Sequence, residues 1–254
     1  MQRLAVLAYG SLVYLLFLGT FTYAALWVER VLVPTNLNTG VQGSVQTALL
    51  VNVGLLCTFA VQHNIMARSW FKRRWTRIVP PAAERSTFVL ATSLLLCAMF
   101  VLWRPIETVV WELDGPVALA LTGLSWAGFG LVLLATFLID HFELFGLKQV
   151  VQHFRGVEPK PAEFQERSLY RYTRHPLYLG FFLAFWSTPT MTLGHLLFAG
   201  VVTTWVLLTV RFLEERDLVA EHGQAYRDYQ QRVPMILPRP KRRQADASNE
   251  LALG

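Results

Sequence analysis

The sequence predicts an all-α integral membrane protein with five long transmembrane helices, one short hairpin leg and a cytoplasmic C-terminal helix. Three observations carry this. The 254-residue chain is 54% hydrophobic, with a mean hydropathy of +0.38. Its apolar residues gather into runs, several of them at or near the roughly 17–25 residues that cross about 30 Å of hydrocarbon. Its Lys and Arg residues crowd into alternate loops, as they do in chains oriented by the positive-inside rule.

The elements follow in order. Leu4–Val28 lacks a small-residue cleavage site and more spans follow, so it reads as a retained helix, not a secretory signal. Val45–Val61, Ser86–Trp103 and Pro116–Ile139 are the next spans, Leu177–Thr188 is a short run, and Leu193–Val210 closes the set. Backbone in lipid must be satisfied internally, so each run is a helix. Pro34 and Asn36-Leu37-Asn38-Thr39-Gly40 mark a loop, while Pro80-Pro81 and Glu158-Pro159-Lys160-Pro161 break two others. Loops 29–44 and 104–115 are poor in basic residues. Loop 62–85 (Arg68, Lys72, Arg73, Arg74, Arg77, Arg85), segment 140–176 (Lys148, Arg155, Lys160, Arg167, Arg171, Arg174) and the tail are rich in them. This places both termini in the cytoplasm, with the fifth crossing shallow or tilted. Glu214–Arg232 is charged and helix-forming, interrupted by Gly223, with Leu218, Tyr226 and Tyr229 on one side. Residues 1–240 form one membrane domain and 241–254 a polar, disordered tail.

Composition also sets exclusions. Cys57 and Cys97 lie inside apolar runs, so neither a disulfide framework nor a Cys-based metal site is expected. The net charge of +6 sits beside the spans, where lipid accounts for it without a nucleic acid partner.

Polar residues recur at one depth, the cytoplasmic end of the spans. Gln62-His63 ends the second, Asp140-His141-Phe142-Glu143 ends the fourth, Arg174-His175 opens the fifth, and Arg211 with Glu214-Glu215 closes the sixth. Singly, each has a plain account as a cap or solvated flank. Together, in several segments at a common level, they point to a shared polar cavity. Tyr170, Tyr172, Tyr178, Tyr226 and Tyr229 cluster near the same level, where tyrosine is also at home in any membrane interface.

The pattern Tyr170-x-x-x-Arg174-His175-Pro176-x-Tyr178-Leu179-Gly180, followed by Glu214-Glu215-x-x-Leu218-x-x-x-x-Gly223-x-x-Tyr226-x-x-Tyr229-x-x-x-Val233-Pro234, resembles the C-terminal half of the isoprenylcysteine carboxyl methyltransferase and phospholipid methyltransferase superfamily. Ser168 departs from it, standing where relatives usually carry Gly. Further upstream, Gln62-His63-x-x-Met66-Ala67-Arg68, Pro80-Pro81-x-x-Glu84-Arg85-Ser86 and Asp140-His141-Phe142-Glu143-Leu144-Phe145-Gly146-Leu147 resemble bacterial methanethiol S-methyltransferases and the NnrU-like proteins beside them. The resemblance implies S-adenosyl-L-methionine as methyl donor, a small thiol (methanethiol) as acceptor, dimethyl sulfide as product, and no metal.

It also implies roles. Tyr170, His175, Pro176, Tyr178, Leu179 and Gly180 lie near the donor, with Gly180 letting a backbone come close. Glu214 and Glu215 are candidates for its ribose hydroxyls or ammonium, and Tyr226 and Tyr229 for a cover. A thiol reacts as its thiolate, so a base or cation is needed. His141 and His63 are the candidate bases, His141 first, with Arg174 or Arg211 to stabilise the anion. His141 merely pairing with Asp140 or Glu143 is the competing account. Rival functions are a prenylcysteine or lipid methyltransferase, an NADPH-dependent membrane reductase resembling the sterol reductases, and a non-enzymatic NnrU-like accessory protein.

Overall fold

The computed structural model describes residues 2–158, 166 and 168–238. Much of the predicted break at 158–161 and all of the tail 241–254 lie outside the described residues. Among the described residues, five helices are long and apolar enough to cross a membrane. They are α1 (Gln2–Glu29), α2 (Val45–Ala67), α4 (Pro81–Leu102), α5 (Gly115–Ile139) and α9 (Leu193–Thr209), which continues without a stop toward His222. Between α2 and α4 lies the short, basic α3 (Ser69–Trp75), ending in Lys72, Arg73 and Arg74. After α5 come α6 (His141–Leu144) and α7 (Leu147–Arg155), the latter bounded by Gly146 and Gly156 in left-handed conformations. Residues Ser168–Arg171 form a 3-10 turn. Thr173 to His175 then lead into α8 (Pro176–Trp186), the predicted short leg.

At 11 residues α8 rises about 16 Å, about half the hydrocarbon thickness. Pro176 sits at its first helical position, where a missing N–H costs nothing. Beyond Trp186 the chain is extended. It forms β2 (Thr190–Thr192), which pairs antiparallel with β1 (Val109–Glu112), Val109 opposite Thr192 and Glu112 opposite Thr190. Sequence periodicity gave no hint of this pair, because three- and four-residue strands are too short to alternate. The pairing satisfies non-helical backbone near the membrane. Leu113 N–H donates to Pro189 O, Leu193 N–H to Thr108 O and the Trp111 indole to Thr188 O. Arg30 reinforces the same end, donating to Thr190 O and Thr188 Oγ1, both at 3.2 Å.

The core of this far half is aromatic: Trp27, Phe100, Trp103, Phe129, Phe185 and Phe198 pack as one cluster. In the basic half Val13, Met66, Phe88 and Val89 form a second. Helices α5 and α8 approach through small residues, as helices in lipid do. A Cβ on Gly128 would sit 2.5 Å from Ala184 N, and one on Gly180 would sit 2.8 Å from Gly128 O.

The polypeptide after α9 does not stay α-helical. Val210–Glu214 is a π turn, followed by α10 (Glu215–His222), a break at Gly223 with φ +60°, and α11 (Gln224–Arg232). A π turn widens the helix by one residue and is frequent at functional sites. Here it ends on Glu214, and Glu215 opens α10.

Candidate active site

The hairpin of α8 and α9 brings Arg174-His175 and Glu214-Glu215 together. Glu215 is the hub. Its Oε1 accepts from Arg174 Nε at 2.8 Å, His175 Nε2 at 2.9 Å and the Tyr226 hydroxyl at 3.1 Å. Its Oε2 accepts from Arg174 Nη2 at 2.9 Å and Gln230 Nε2 at 2.6 Å. A carboxylate offers about four lone-pair positions, so five donors saturate it. The ion pair is buried, with side chains 9% and 8% exposed. Arg174 Nη1 also donates to Gln230 O and Val233 O, at 2.9 and 2.5 Å. The N–H groups of Arg174 and His175 donate to Pro234 O and Met235 O. The C-terminal segment is thus laced onto the start of α8.

Glu214 differs. Its Oε2 accepts from the Tyr178 hydroxyl at 2.8 Å, and its Oε1 lies 3.6 Å from His175 Nδ1. The side chain is 35% exposed, so acceptor capacity remains. Of the two adjacent carboxylates, one is fully spent on the protein and the other faces outward.

Tyr226 and Tyr229 are buried and pack with Val233, Leu218 and Val219, which seats α10 and α11 over the hub. Burial first, then the Glu215 charge, pushes the Tyr226 phenol far above its usual range, so it stays a neutral donor. Tyr229 donates to Tyr170 O at 2.6 Å. Leu179 is half-buried on α8, and Pro176 is buried at its start. The close approach expected at Gly180 is made by the backbone of α5. Arg211 is exposed, at the mouth of a cleft of about 270 Å³ shared with Glu215, Arg216, Val219 and Gln230. A larger cavity of about 350 Å³ lies between α1 and the start of α4, lined by Val6, Tyr9, Pro80, Ala83 and Thr87 among others and by none of these groups.

Neither candidate base hydrogen-bonds to the hub or to the other among the described residues. His63 sits on α2 among the rings of Phe59, Phe88 and Trp205, and its Nδ1 is buried without a hydrogen-bond partner among the described residues. His141 is buried at the end of α5, stacked 4.2 Å from Phe137. Its Nε2 meets the Tyr14 hydroxyl at 2.9 Å and its Nδ1 meets Thr136 Oγ1 at 2.7 Å. The neighbouring carboxylates do not take it. Asp140 and Glu143 both bind Lys148, each at 2.6 Å. Burial pushes the Asp140 carboxyl up, but Lys148 and the Glu143 N–H outweigh it and hold it below its ordinary value.

Sequence reasoning missed Gln230, Tyr14 and Thr136. Gln230 follows Tyr226 by four residues, on the same helix face. Tyr14 and Thr136 carry hydroxyls inside apolar spans, the kind of intramembrane polar group that marks a function or a partner.

These features define a polytopic α-helical membrane protein with a carboxylate-centred polar site capped by its own C-terminal helices. The chain belongs to the family described as "Protein of unknown function (DUF1295)", which matches residues 30–233. It is 46% identical over 254 residues to methanethiol S-methyltransferase 2 of Bradyrhizobium diazoefficiens, covering 99% of this chain and 98% of the relative. It is 47% identical over 243 residues to methanethiol S-methyltransferase of Mycobacterium tuberculosis, covering 95% and 99%. At 30% over 215 residues it is similar to nurim of Pan troglodytes, covering 80% and 78%. No solved structure matches the chain.

Proposed function

We propose that this protein is a membrane methyltransferase that converts methanethiol to dimethyl sulfide with S-adenosyl-L-methionine as donor, working at the cytoplasmic face of a bacterial inner membrane with both termini inside. The observation that carries the reading is the 46–47% identity, over nearly the whole of both chains, to proteins named for that reaction.

The residues present fit the donor. It brings a carboxylate, an ammonium, two ribose hydroxyls and an apolar adenine. Glu214, half-free beside a saturated Glu215, suits the ammonium or the hydroxyls. Arg211 and Arg216 at the cleft suit the carboxylate. When bound, the donor supplies an electrophilic methyl group. Methyl transfer then asks the protein for position and dryness. The Glu215 hub fixes Arg174 and His175, Tyr178 is held by Glu214, and α10 and α11 exclude water. The thiol's proton falls to His141 or His63. Of the two candidate cations Arg174 is committed to Glu215 and backbone carbonyls, which leaves the exposed Arg211 to stabilise the anion.

Membrane vesicles given methanethiol and the donor should release dimethyl sulfide into the headspace. No gas above empty-vesicle controls would overturn the reading and favour an accessory role. Comparing inside-out with right-side-out vesicles tests the face. A melting-temperature rise with S-adenosylhomocysteine but not NADPH separates the reading from a reductase, because a ligand stabilises only the state it binds.

A further inference from the structure

The hydrogen bonds around His141 have a direction. Thr136 Oγ1 lies 2.7 Å from Leu133 O, a group that only accepts, so the single hydroxyl proton of Thr136 is spent there. Toward His141 Nδ1, also at 2.7 Å, Thr136 Oγ1 must therefore accept. Nδ1 carries the hydrogen. In the neutral ring Nε2 is then a bare acceptor, and the Tyr14 hydroxyl at 2.9 Å donates to it. The chain runs one way: Tyr14 to His141 to Thr136 to Leu133 O. The ring is fixed mechanically too, stacked on Phe137 and edge-on to Phe145.

The same contacts set its depth. Helices α5 and α8 meet at Val132 and Gly180, where a Cβ on Gly180 would be 2.8 Å from Val132 N. Thr136 lies four residues beyond Val132. Pro176 lies four before Gly180, on an antiparallel helix. Both are one turn, about 6 Å, toward the same end. Thr136 with His141, and His175 with Glu214, thus occupy neighbouring helices at one level. Around the Tyr14 ring are Phe17, Phe142 and His141, an apolar wall suited to an alkanethiol. Tyr14 itself is only half-buried.

We infer that Tyr14 is the residue that meets the thiol, relaying its proton to His141. The inference rests on the methyltransferase reading above. The thiol S–H gives its proton to Tyr14 Oη as the Tyr14 proton passes to His141 Nε2. The thiolate's electron pair forms the new S–CH₃ bond, and the pair of the breaking CH₃–S⁺ bond stays on the donor sulfur. The imidazolium returns its proton to water before the next cycle. Charge balances: a neutral thiol and a sulfonium become two thioethers and one proton. His141 is suited to the part, since burial holds its imidazole below its ordinary value, against Asp140, and so free to accept at neutral pH. The charged groups near it are Asp140 beside it, Glu143 and Lys148 on α6 and α7, and Arg85 of α4, which donates to Leu144 O.

Two measurements test this. In wild-type protein with ¹⁵N-labelled histidine, the His141 signal should be that of an Nδ1–H tautomer whose Nε2 accepts a hydrogen bond. An Nε2–H tautomer overturns the relay, whatever the activity. In Tyr14→Phe, dimethyl sulfide formation should fall about 100-fold or more at pH 7, with the Kd for S-adenosylhomocysteine unchanged. The rate should recover toward wild type at pH 9–10, where the thiol ionises unaided. A Tyr14→Phe enzyme at full rate, or one equally impaired at every pH, overturns it. Wild-type protein that makes no dimethyl sulfide sinks the methyltransferase reading instead, a different outcome from an active wild type with an indifferent Tyr14→Phe.

Discussion

Glu214 and Glu215 are adjacent and chemically identical, yet their surroundings predict opposite phenotypes. Glu215→Gln removes the charge facing Arg174 inside a site where both side chains are about nine-tenths buried. Breaking a buried pair by removing one partner costs about 3–5 kcal/mol. The glutamine amide would also turn two donors toward donors already present, Arg174 Nη2 and Gln230 Nε2. The loss falls on what the hub holds: α10, α11 and the 233–235 segment. By contrast, Glu214→Gln keeps a carbonyl oxygen that can accept from Tyr178 and forfeits the charge offered to the donor. A hydrogen bond to a charged group contributes about 1.5–3 kcal/mol, which is roughly a 10- to 150-fold rise in Kd. Calorimetry with S-adenosylhomocysteine and limited trypsinolysis at Arg216, Arg227 and Arg232 read the two effects separately. Glu215→Gln should be nicked fast. Glu214→Gln should stay resistant and bind weakly. If both variants behaved alike, the division of labour drawn from their hydrogen bonds would be wrong.

Three further perturbations discriminate. Ser168 holds φ +48° without being glycine, so Ser168→Gly should raise stability by about 1 kcal/mol, read as a melting shift. Gly180→Ala puts a methyl 2.8 Å from backbone atoms of α5 and should destabilise by about 1–3 kcal/mol or more, with Gly200→Ala, where nothing lies within 4 Å, as the neutral control. His141 has a folded pKa below its ordinary one, so the unfolded chain binds more protons as pH falls through about 6.5. Stability should therefore drop on acidification below that value, and a His141→Asn protein should lose less melting temperature between pH 7.5 and 5.5.

Much of this was written in the chain. The long spans were legible because burial in lipid demands continuous apolar runs, and the short leg because Leu177–Thr188 is visibly too brief. The meeting of Arg174-His175 with Glu214-Glu215 followed from a hairpin with charged ends. What sequence could not divide was labour between neighbours. Glu214 and Glu215 differ only in where a π turn aims them, and no residue type announces a π turn. His141 beside Asp140 and Glu143 suggested an ion pair, yet Lys148, five residues past Glu143, claims both carboxylates and leaves the ring to two hydroxyls from within spans. Long-range pairing by a single Tyr, 127 residues away in sequence, leaves no periodic trace.

The short leg and the strand pair solve one geometric problem. From its first residue to Glu214, α9 with its π turn rises about 33 Å, while α8 rises about 16 Å. Both must end at the Glu215 hub, so their other ends differ in depth by about 17 Å. The six residues Ser187–Thr192, extended at about 3.3 Å each, span that difference. Three of them form β2, pinned by β1, Trp111 and Arg30. Register at β2 is therefore tied to register at the hub. Deleting one residue from this segment would shift α8 by about 3.3 Å along its axis, more than a bidentate Arg174–Glu215 contact tolerates. The site at one end of the protein is held in register by a strand pair at the other.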